Sequence, residues 1–377
     1  MRRAPPFLIL GNPENRRVSL FQEALAAQSQ PAARVIAWAD LVRSTATLEA
    51  VANEPTLVRI DSFGESFDVE RGLLARGFED AALASVSVLP PAAIDALSFD
   101  RGRIRAPRQH HLGFLRVLGD VAAVLATKDQ LRVLNPPASI ADLFDKRVTS
   151  RRYASLGVPV PRFFDGIDCH ETLRARLREA GVRSAYVKLS CGSSASCLAL
   201  YQLGSTSETV TTTIEQTSDG WYNSLKVRRY RAPGPIAEIL DFLLREGSQV
   251  EESVPKARLD GDFFDCRVLV IAGEPAFTVV RQSRLPITNL HLGGRRGDLD
   301  ALRAAAPASV LDSAMESCRR VHAAHQCLHV GVDLMYEDGY TGHRVLEANA
   351  FGDLLPNLQR DGLSVYEWEI REALRMI

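Results

Sequence analysis

Neither sign of charge is in excess in this 377-residue sequence: 45 Lys and Arg stand against 46 Asp and Glu, a formal net charge of -1. Nothing global therefore points to nucleic acid or to an anionic membrane as a partner. Long apolar runs are missing as well. The run near the start, Phe7 to Leu10 in MRRAPPFLILGNPENRR, falls far short of the about 18 residues that a membrane helix needs. It is also too short for the apolar stretch of a signal peptide, and no small-residue cleavage site follows. It reads as a first buried strand, and a cytoplasmic protein is expected. The six cysteines (Cys169, Cys191, Cys197, Cys266, Cys318, Cys327) form no CxxC pair and are scattered, which favours free thiols over disulfides or zinc ligands. No GxxxxGK[ST] loop occurs, which excludes a Walker-type phosphate site, and no Ser-His-Asp or Cys-His signature supplies a protein nucleophile. Internal repeats and low-complexity segments are absent too.

What is present is the composition of a soluble globular protein, 46% hydrophobic and 24% charged, long enough for two or three packed units. FLILG, SLFQEALAAQ, ARVIAW and TLVRID alternate strand-like and helix-like patterns, which predicts a parallel α/β layer in the first 100 or so residues. The mostly helical tract RGRIRAPRQHHLGFLRVLGDVAAVLATK closes that unit, and Pro136-Pro137 breaks the pattern. From Ile140 a helix is expected to run to Gly157, followed by the extended VPVPRFF. AYVKLS and CLALYQL read as strands around the small-residue loop SCGSSAS, and TSETVTTTIEQTSDGWYNSLKVRRYR as further short strands. IAEILDFLLREG is a helix stopped by Gly247, leading into the strand QVEESV. Two strand pairs complete the pattern, DCRVLVIAGEPAFTVVRQS around Gly273 and HVGVDLMYEDGYTGHRVLEANAF around Asp338-Gly339, with the helix ASVLDSAMESCRRVHAAHQ between them.

Chemistry-bearing residues fall in a fixed order along this pattern. Lys146 in FDK and Lys188 in YVKLS are two cations that can bracket a polyphosphate. The loop SCGSSAS follows Lys188, with Ser190, Gly192, Ser193 and Ser194 small enough for backbone N–H groups to approach phosphate oxygens. Asp333 in GVDLMY and Glu347 and Asn349 in VLEANAF offer two carboxylates and an amide oxygen. Glu347 and Asn349, two apart on a strand, share one face, and the set is of the hard oxygen type that suits Mg²⁺. Ordinary surface lysines, a plain turn and solvated acids at a sheet end are the bland alternatives for each feature taken alone.

In this order the features resemble the ATP-grasp superfamily over roughly residues 140–360. The resemblance implies an α/β protein with an ATP-grasp fold, two α+β subdomains clamping ATP, preceded by an N-terminal parallel α/β domain. The boundaries it suggests are 1–125, 126–249 and 250–377. It implies that Lys146 and Lys188 reach the nucleotide phosphates, that the backbone of Glu252, Ser253 and Val254 holds the adenine edge, and that Asp265 meets the ribose. Asp333, Glu347 and Asn349 become ligands of Mg²⁺, with Mn²⁺ as the alternative metal. Arg267 and Arg281, on neighbouring strands, become candidates for holding the transferred phosphoryl group or a carboxylate. The pattern Arg281…Asn289-Leu-His-x-Gly-Gly is similar to the ribosomal-protein glutamate-ligase branch, which adds Asn289 to the catalytic candidates, while His291 is given no proton-transfer role.

The implied activity is an ATP-dependent ligase joining a small-molecule or peptide carboxylate to an amine or thiol through an acyl phosphate, with release of ADP and phosphate. A kinase acting on a hydroxyl and a non-catalytic nucleotide-binding subunit are the rival readings, and a homodimer is compatible with the family. His322 and His325, three apart on a helix without a carboxylate partner, read as core or solvent histidines. RGRIRAPRQHH, with His110 and His111, fits either a substrate cleft or a solvated helix start.

Overall fold

Strands buried on both faces require apolar runs without polar alternation; FLIL is of that kind, and TLVRI is apolar but for Thr56 and Arg59. In the computed structural model, which describes residues 5–84, 86–192, 197–288, 290, 293–352, 355 and 357–376, four strands form a parallel sheet. They are β1 (Phe7–Leu10), β2 (Arg34–Ile36), β3 (Thr56–Ile60) and β4 (Leu131–Val133), in the order β2-β1-β3-β4. Every residue of β1 and β3 is buried. The strand order reverses between β1 and β3, so the loops leaving those two strands diverge and leave a crevice at their C-terminal ends. Strand β4 lies beyond the boundary expected at 125, after the helix Pro107–Ala126, yet completes this sheet.

The helix expected from Ile140 to Gly157 is two helices, Pro137–Leu143 and Lys146–Ser155. Asp145 interrupts it with an extended backbone, and its side chain accepts from the Arg147 amide at 2.9 Å, an N-cap that starts a new helix one residue before Lys146.

Residues 163–252 supply a six-stranded antiparallel sheet of β5 (Phe163–Phe164), β6 (Ser184–Leu189), β7 (Leu198–Leu203), β8 (Glu208–Thr217), β9 (Gly220–Tyr230) and β10 (Ser248–Glu252), in the order β5-β10-β6-β7-β8-β9. The polar tract expected to give short strands gives two long ones, because the Thr, Val and Ile of ETVTTTIEQT are strand formers that pair across a single hairpin. The helix Pro233–Arg245 buries Ile236, Leu240 and Leu243 against Val187, Tyr201 and Ile214. Gly247, at φ +83°, then turns the chain into β10. Strand β10 crosses the boundary expected at 249 and pairs with β6.

The last third forms a second antiparallel sheet from β11 (Arg258–Leu259), β12 (Asp262–Ile271), β13 (Glu274–Ser283), β14 (Arg295–Arg296), β15 (His329–Tyr336) and β16 (His343–Asn349), ordered β14-β13-β12-β15-β16 with β11 on β12. The first and third sheets share an apolar cluster that contains Trp38, Val58 and Phe114 together with Val268, Val332 and Tyr336. The central sheet has its own. Arg59 of β3 adds an ionic tie to Glu369 on the helix Val365–Arg375, its guanidinium lying over the rings of Phe21 and Tyr366. All six cysteines are unpaired. Among the described residues no helix is long and apolar enough to cross a membrane.

His325 gives the fold a pH dependence. It is buried, shares a 2.9 Å hydrogen bond with the Tyr153 hydroxyl and lies 3.4 Å from Arg152, and burial, with Arg152 adding to it, pushes its pKa down to about 4. The unfolded chain protonates this side chain near pH 6.5, so its contribution is complete above that pH and is lost as the pH falls towards 4. In urea titrations, His325→Gln is expected to lose about 3 kcal/mol less than wild type between these pH values; equal losses would show that His325 does not titrate with unfolding.

Candidate functional site

The central and C-terminal sheets face each other across a cavity of about 700 Å³, which the loops after β1 and β3 close on the third side. That volume is in the range of small-molecule sites. Lys146, at the first turn of its helix, and Lys188, on β6, both line it. Each is held by an acid: Lys146 Nζ lies 3.3 Å from Glu347 Oε2 and donates to the Gly192 carbonyl, and Lys188 pairs with Glu251. Pairing fixes the two ammonium groups while leaving each with N–H donors for a polyanion. Lys256 is a third lysine of the lining. Among the described residues its ammonium has no acid within ion-pair distance and makes 3.4 Å contacts to the Pro286 carbonyl and the Thr288 hydroxyl. Burial depresses its pKa, with Asp265 opposing the shift.

The cavity floor is a chain of buried charges on three adjacent strands. Antiparallel register sets Asp265 opposite Arg281 and Arg267 opposite Asp333. Arg267 grips Asp333 through Nε and through Nη2, the latter at 3.0 Å to Oδ2. Arg281 bridges the two acids, with Nε 2.6 Å from Asp265 Oδ1 and Nη2 3.1 Å from Asp333 Oδ1. Burial alone would raise the Asp333 carboxyl, but the two guanidinium groups outweigh it and hold it well below the usual carboxylate range. Asp265, expected at the ribose, has its other oxygen taken by the Thr288 hydroxyl.

Asp333 on β15 is paired across the strands with Glu347 on β16, and Gly331 with Asn349, so the three metal candidates sit together and all line the cavity. No group of three His, Cys, Asp or Glu side chains suited to a metal gathers among the described residues. The set consists of two acids and one amide. A carboxylate offers about four acceptor positions, of which Asp333 spends three on arginine and Glu347 one on lysine. Oxygen positions therefore remain for a hard divalent cation, and the residues present fit Mg²⁺.

At the linking segment, residues 252–254 between the central and C-terminal sheets, the Glu252 and Ser253 amides are already bonded, to the Arg162 and Ser184 carbonyls at 2.7 and 2.8 Å. The Val254 amide has no partner among the described residues, and Glu252 and Val254, though not Ser253, line the cavity. Glu251 lines it too, with Oε2 buried and unpartnered and its pKa raised by burial against the pull of Lys188.

Ser190 is fully buried and ties the end of β6 to its surroundings: its amide donates to the Gly247 carbonyl, and its carbonyl accepts from the Lys146 amide. It is not part of the cavity wall, whereas Gly192 is. Ser193, Ser194, Asn289 and His291 lie outside the described residues. His322 bonds the Leu328 carbonyl at 3.3 Å, away from the cavity, like His325. The wall also contains Tyr186, Lys256 and Glu251 and the residues Asn15, Arg16, Arg17 and 62–65 after β1 and β3, none of which the sequence analysis singled out. The loop residues had a readable signal, since GNPEN follows the first of a run of parallel strands. Nothing in the spacing marks Tyr186.

No protein-family profile matches the sequence, and no curated protein is significantly similar to it. Solved structures do match over nearly the whole length. The chain aligns with the ATP-grasp ligase PsnB, solved with its minimal precursor, Mg and ADP, at TM-score 0.53 and 15% identity, covering 98% of this chain and 97% of that one. D-cycloserine synthetase DcsG aligns at TM-score 0.55 and 16% identity, covering 98% and 99%. The D-alanine–D-alanine ligase of Bacillus anthracis, complexed with ATP, aligns at 0.50 and 12%, covering 99% and 98%. The chain has the ATP-grasp fold.

The geometry separates the acid that holds the floor together from the acid left for a ligand. Asp333→Ala removes the carboxylate that two buried guanidinium groups share and is expected to cost about 3–5 kcal/mol in urea unfolding. Glu347, whose side chain keeps 22% of its exposure and has one lysine partner, is expected to cost about 1 kcal/mol or less as Glu347→Ala. Similar losses in the two variants would contradict this division of labour.

Proposed function

We propose that the chain is an ATP-dependent ligase that activates a carboxylate as an acyl phosphate and transfers the acyl group to an amine, with a thiol as the less common acceptor. The observation that carries the reading is the convergence, within an ATP-grasp fold, of Lys146, Lys188, Arg267 and Arg281 with Asp333, Glu347 and Asn349 on one cavity. In this reading residues 1–125, 126–249 and 250–377 are the N-terminal, central and C-terminal domains, with β4 and β10 at the seams.

The base of ATP lies at the linking segment, where the free Val254 amide offers a donor and the unpartnered Glu251 Oε2 accepts from an exocyclic amine. Lys146 and Lys188 neutralise the phosphates, with the backbone about Gly192 close by. Asp333, Glu347 and Asn349 would hold Mg²⁺, which when bound neutralises charge on the phosphate oxygens. Arg281 faces the transferred phosphoryl group, and Arg267 and Asp265 keep Arg281 and Asp333 in place, so Asp265 serves as a positioning residue rather than a sugar contact. A carboxylate oxygen attacks the γ-phosphorus as the bond to the ADP oxygen breaks; the amine nitrogen then attacks the acyl carbon, phosphate leaves and the amine loses a proton. Positioning and charge stabilisation account for the rate without a protein nucleophile. Peptide acids are among the substrates to screen, because PsnB was solved with its minimal precursor.

ATP with Mg²⁺ is expected to raise the melting temperature, by the equivalent of about 2.7 kcal/mol at a hundredfold excess over Kd. Lys188→Ala and Glu347→Ala are expected to abolish the effect. No shift at millimolar ATP would end the nucleotide assignment. With ATP binding established, screening acids with amines should give ADP and free phosphate in equal amounts. A stable phosphorylated product without free phosphate would replace the ligase by a kinase.

A further inference from the structure

Lys256 lines the cavity, yet the chemistry above gives it no task. Its backbone is fixed against the end of β15. Lys256 forms an antiparallel bridge with Glu337, the Ala257 amide donates to the Tyr336 carbonyl at 2.9 Å, and the Asp338 amide donates to the Pro255 carbonyl at 3.0 Å. The side chain therefore starts from a tethered stretch of backbone, directly after the linking segment.

Its surroundings leave the ammonium underused. The Pro286 carbonyl, 3.4 Å away, also accepts from the Tyr186 hydroxyl at 3.4 Å, and the Thr288 hydroxyl, again at 3.4 Å, gives its own proton to Asp265. Both contacts are longer than the about 2.7–3.2 Å of an ordinary N–H···O bond. The nearby acids are committed elsewhere, Asp265 to Arg281 and Thr288, and Glu251 to Lys188. An ammonium carries three N–H donors, and donors withdrawn from water without close acceptors carry a desolvation cost that an oxygen-bearing ligand removes.

The place of the ammonium decides which part of a nucleotide it meets. Lys256 lies two residues past Val254, whose amide is open to the base. Its ammonium touches Thr288, Thr288 is bonded to Asp265, and Asp265 is bonded to Arg281, which faces the transferred phosphoryl group. The wall thus runs from base to phosphates through Lys256, the order in which a nucleoside triphosphate places its ribose. Asp265 has one oxygen on Arg281 and the other on Thr288, and the phosphates have cations of their own in Lys146, Lys188 and Arg281.

We propose that Lys256 donates to the ribose hydroxyls of the nucleotide and so makes the site select a ribonucleotide over its deoxy counterparts. A nucleotide that lacks the hydroxyl would leave the ammonium without its acceptor, and sites built to bond a hydroxyl discriminate strongly against analogues without one. This assignment rests on the ATP reading and adds the group that reads the sugar.

The test compares ATP, 2′-deoxy-ATP and 3′-deoxy-ATP, each with Mg²⁺, by melting temperature and titrated Kd, for wild type, Lys256→Met and Lys256→Leu. Wild type is expected to bind at least one deoxynucleotide roughly ten- to a hundredfold more weakly than ATP, the range for a hydrogen bond to a charged group. In the variants, neither of which can donate, ATP should weaken by a similar factor and the preference for it should disappear. Two variants are used so that a folding defect in one, visible as a lower melting temperature without ligand, leaves the other to decide. A purely structural role, or a contact to phosphate, would weaken all three nucleotides alike and preserve the preference. That outcome overturns the proposal, as does a wild type that binds the three equally. If wild type responds to none of them, the ATP reading falls and the sugar assignment with it; if it responds to ATP without a lysine-dependent preference, only the sugar assignment falls.

Discussion

Two arginines and two aspartates buried side by side on β12, β13 and β15 impose the constraint that the rest of the site obeys. Ions taken out of water on this scale persist only when every charge meets a partner, and the alternation Asp265, Arg267, Arg281 and Asp333 does this through one continuous set of contacts. The pairing ties three strands in a single register, because slipping one strand by a residue would turn its charged side chain to the opposite face. It also reaches outward. Thr288 is bound to Asp265, Arg267 Nη1 donates to the Gly352 carbonyl at 3.3 Å, and Arg17 donates to the neighbouring Phe351 carbonyl at 3.0 Å. The floor of the cavity, the exit of the strand that bears Glu347 and Asn349 and the first helix of the chain are thereby held in one arrangement.

Around this floor the molecule divides by packing rather than by sequence order. The first and last sheets share an apolar core and the ion pair between Arg59 and Glu369, whereas the central sheet packs on its own helices. Polar groups bridge the seam, among them Lys146 between Glu347 and Gly192 and the backbone of Gly102 and Ile104 on β9, and the Ile104 side chain packs against the central apolar cluster. The cavity lies on this seam. Facing surfaces of two separately packed bodies leave space that neither core fills, and polar side chains there keep partial exposure, which is what a ligand pocket requires.

Much of this could be read from the sequence, for local reasons. Unbroken apolar runs specify strands buried on both faces, Gly247 and Gly273 supply the positive φ angles that their turns demand, and the two-residue period places Glu347 and Asn349 on one face. The ordered series Lys146, Lys188, Asp333, Glu347 and Asn349 pointed to the ATP-grasp fold, and the structure brings all five to a single cavity. Where local pattern misled, a local competitor won: Asp145 split a helix by capping it, and β-branched residues extended β8.

The sequence by itself therefore determined the strands, the helices, the fold they belong to and the residue types that carry charge, since these depend on periodicity, turn chemistry and order along the chain. Tertiary structure alone decided the partners. Asp265 was legible as an acid but not as the partner of Arg281 and Thr288, and Lys256, Tyr186 and Glu251 carried no spacing that marked them as cavity residues. Whether a charge is paired or left with unused donors depends on what lies opposite it after folding, and residues distant in the chain meet there because packing, not sequence separation, sets the distance between them.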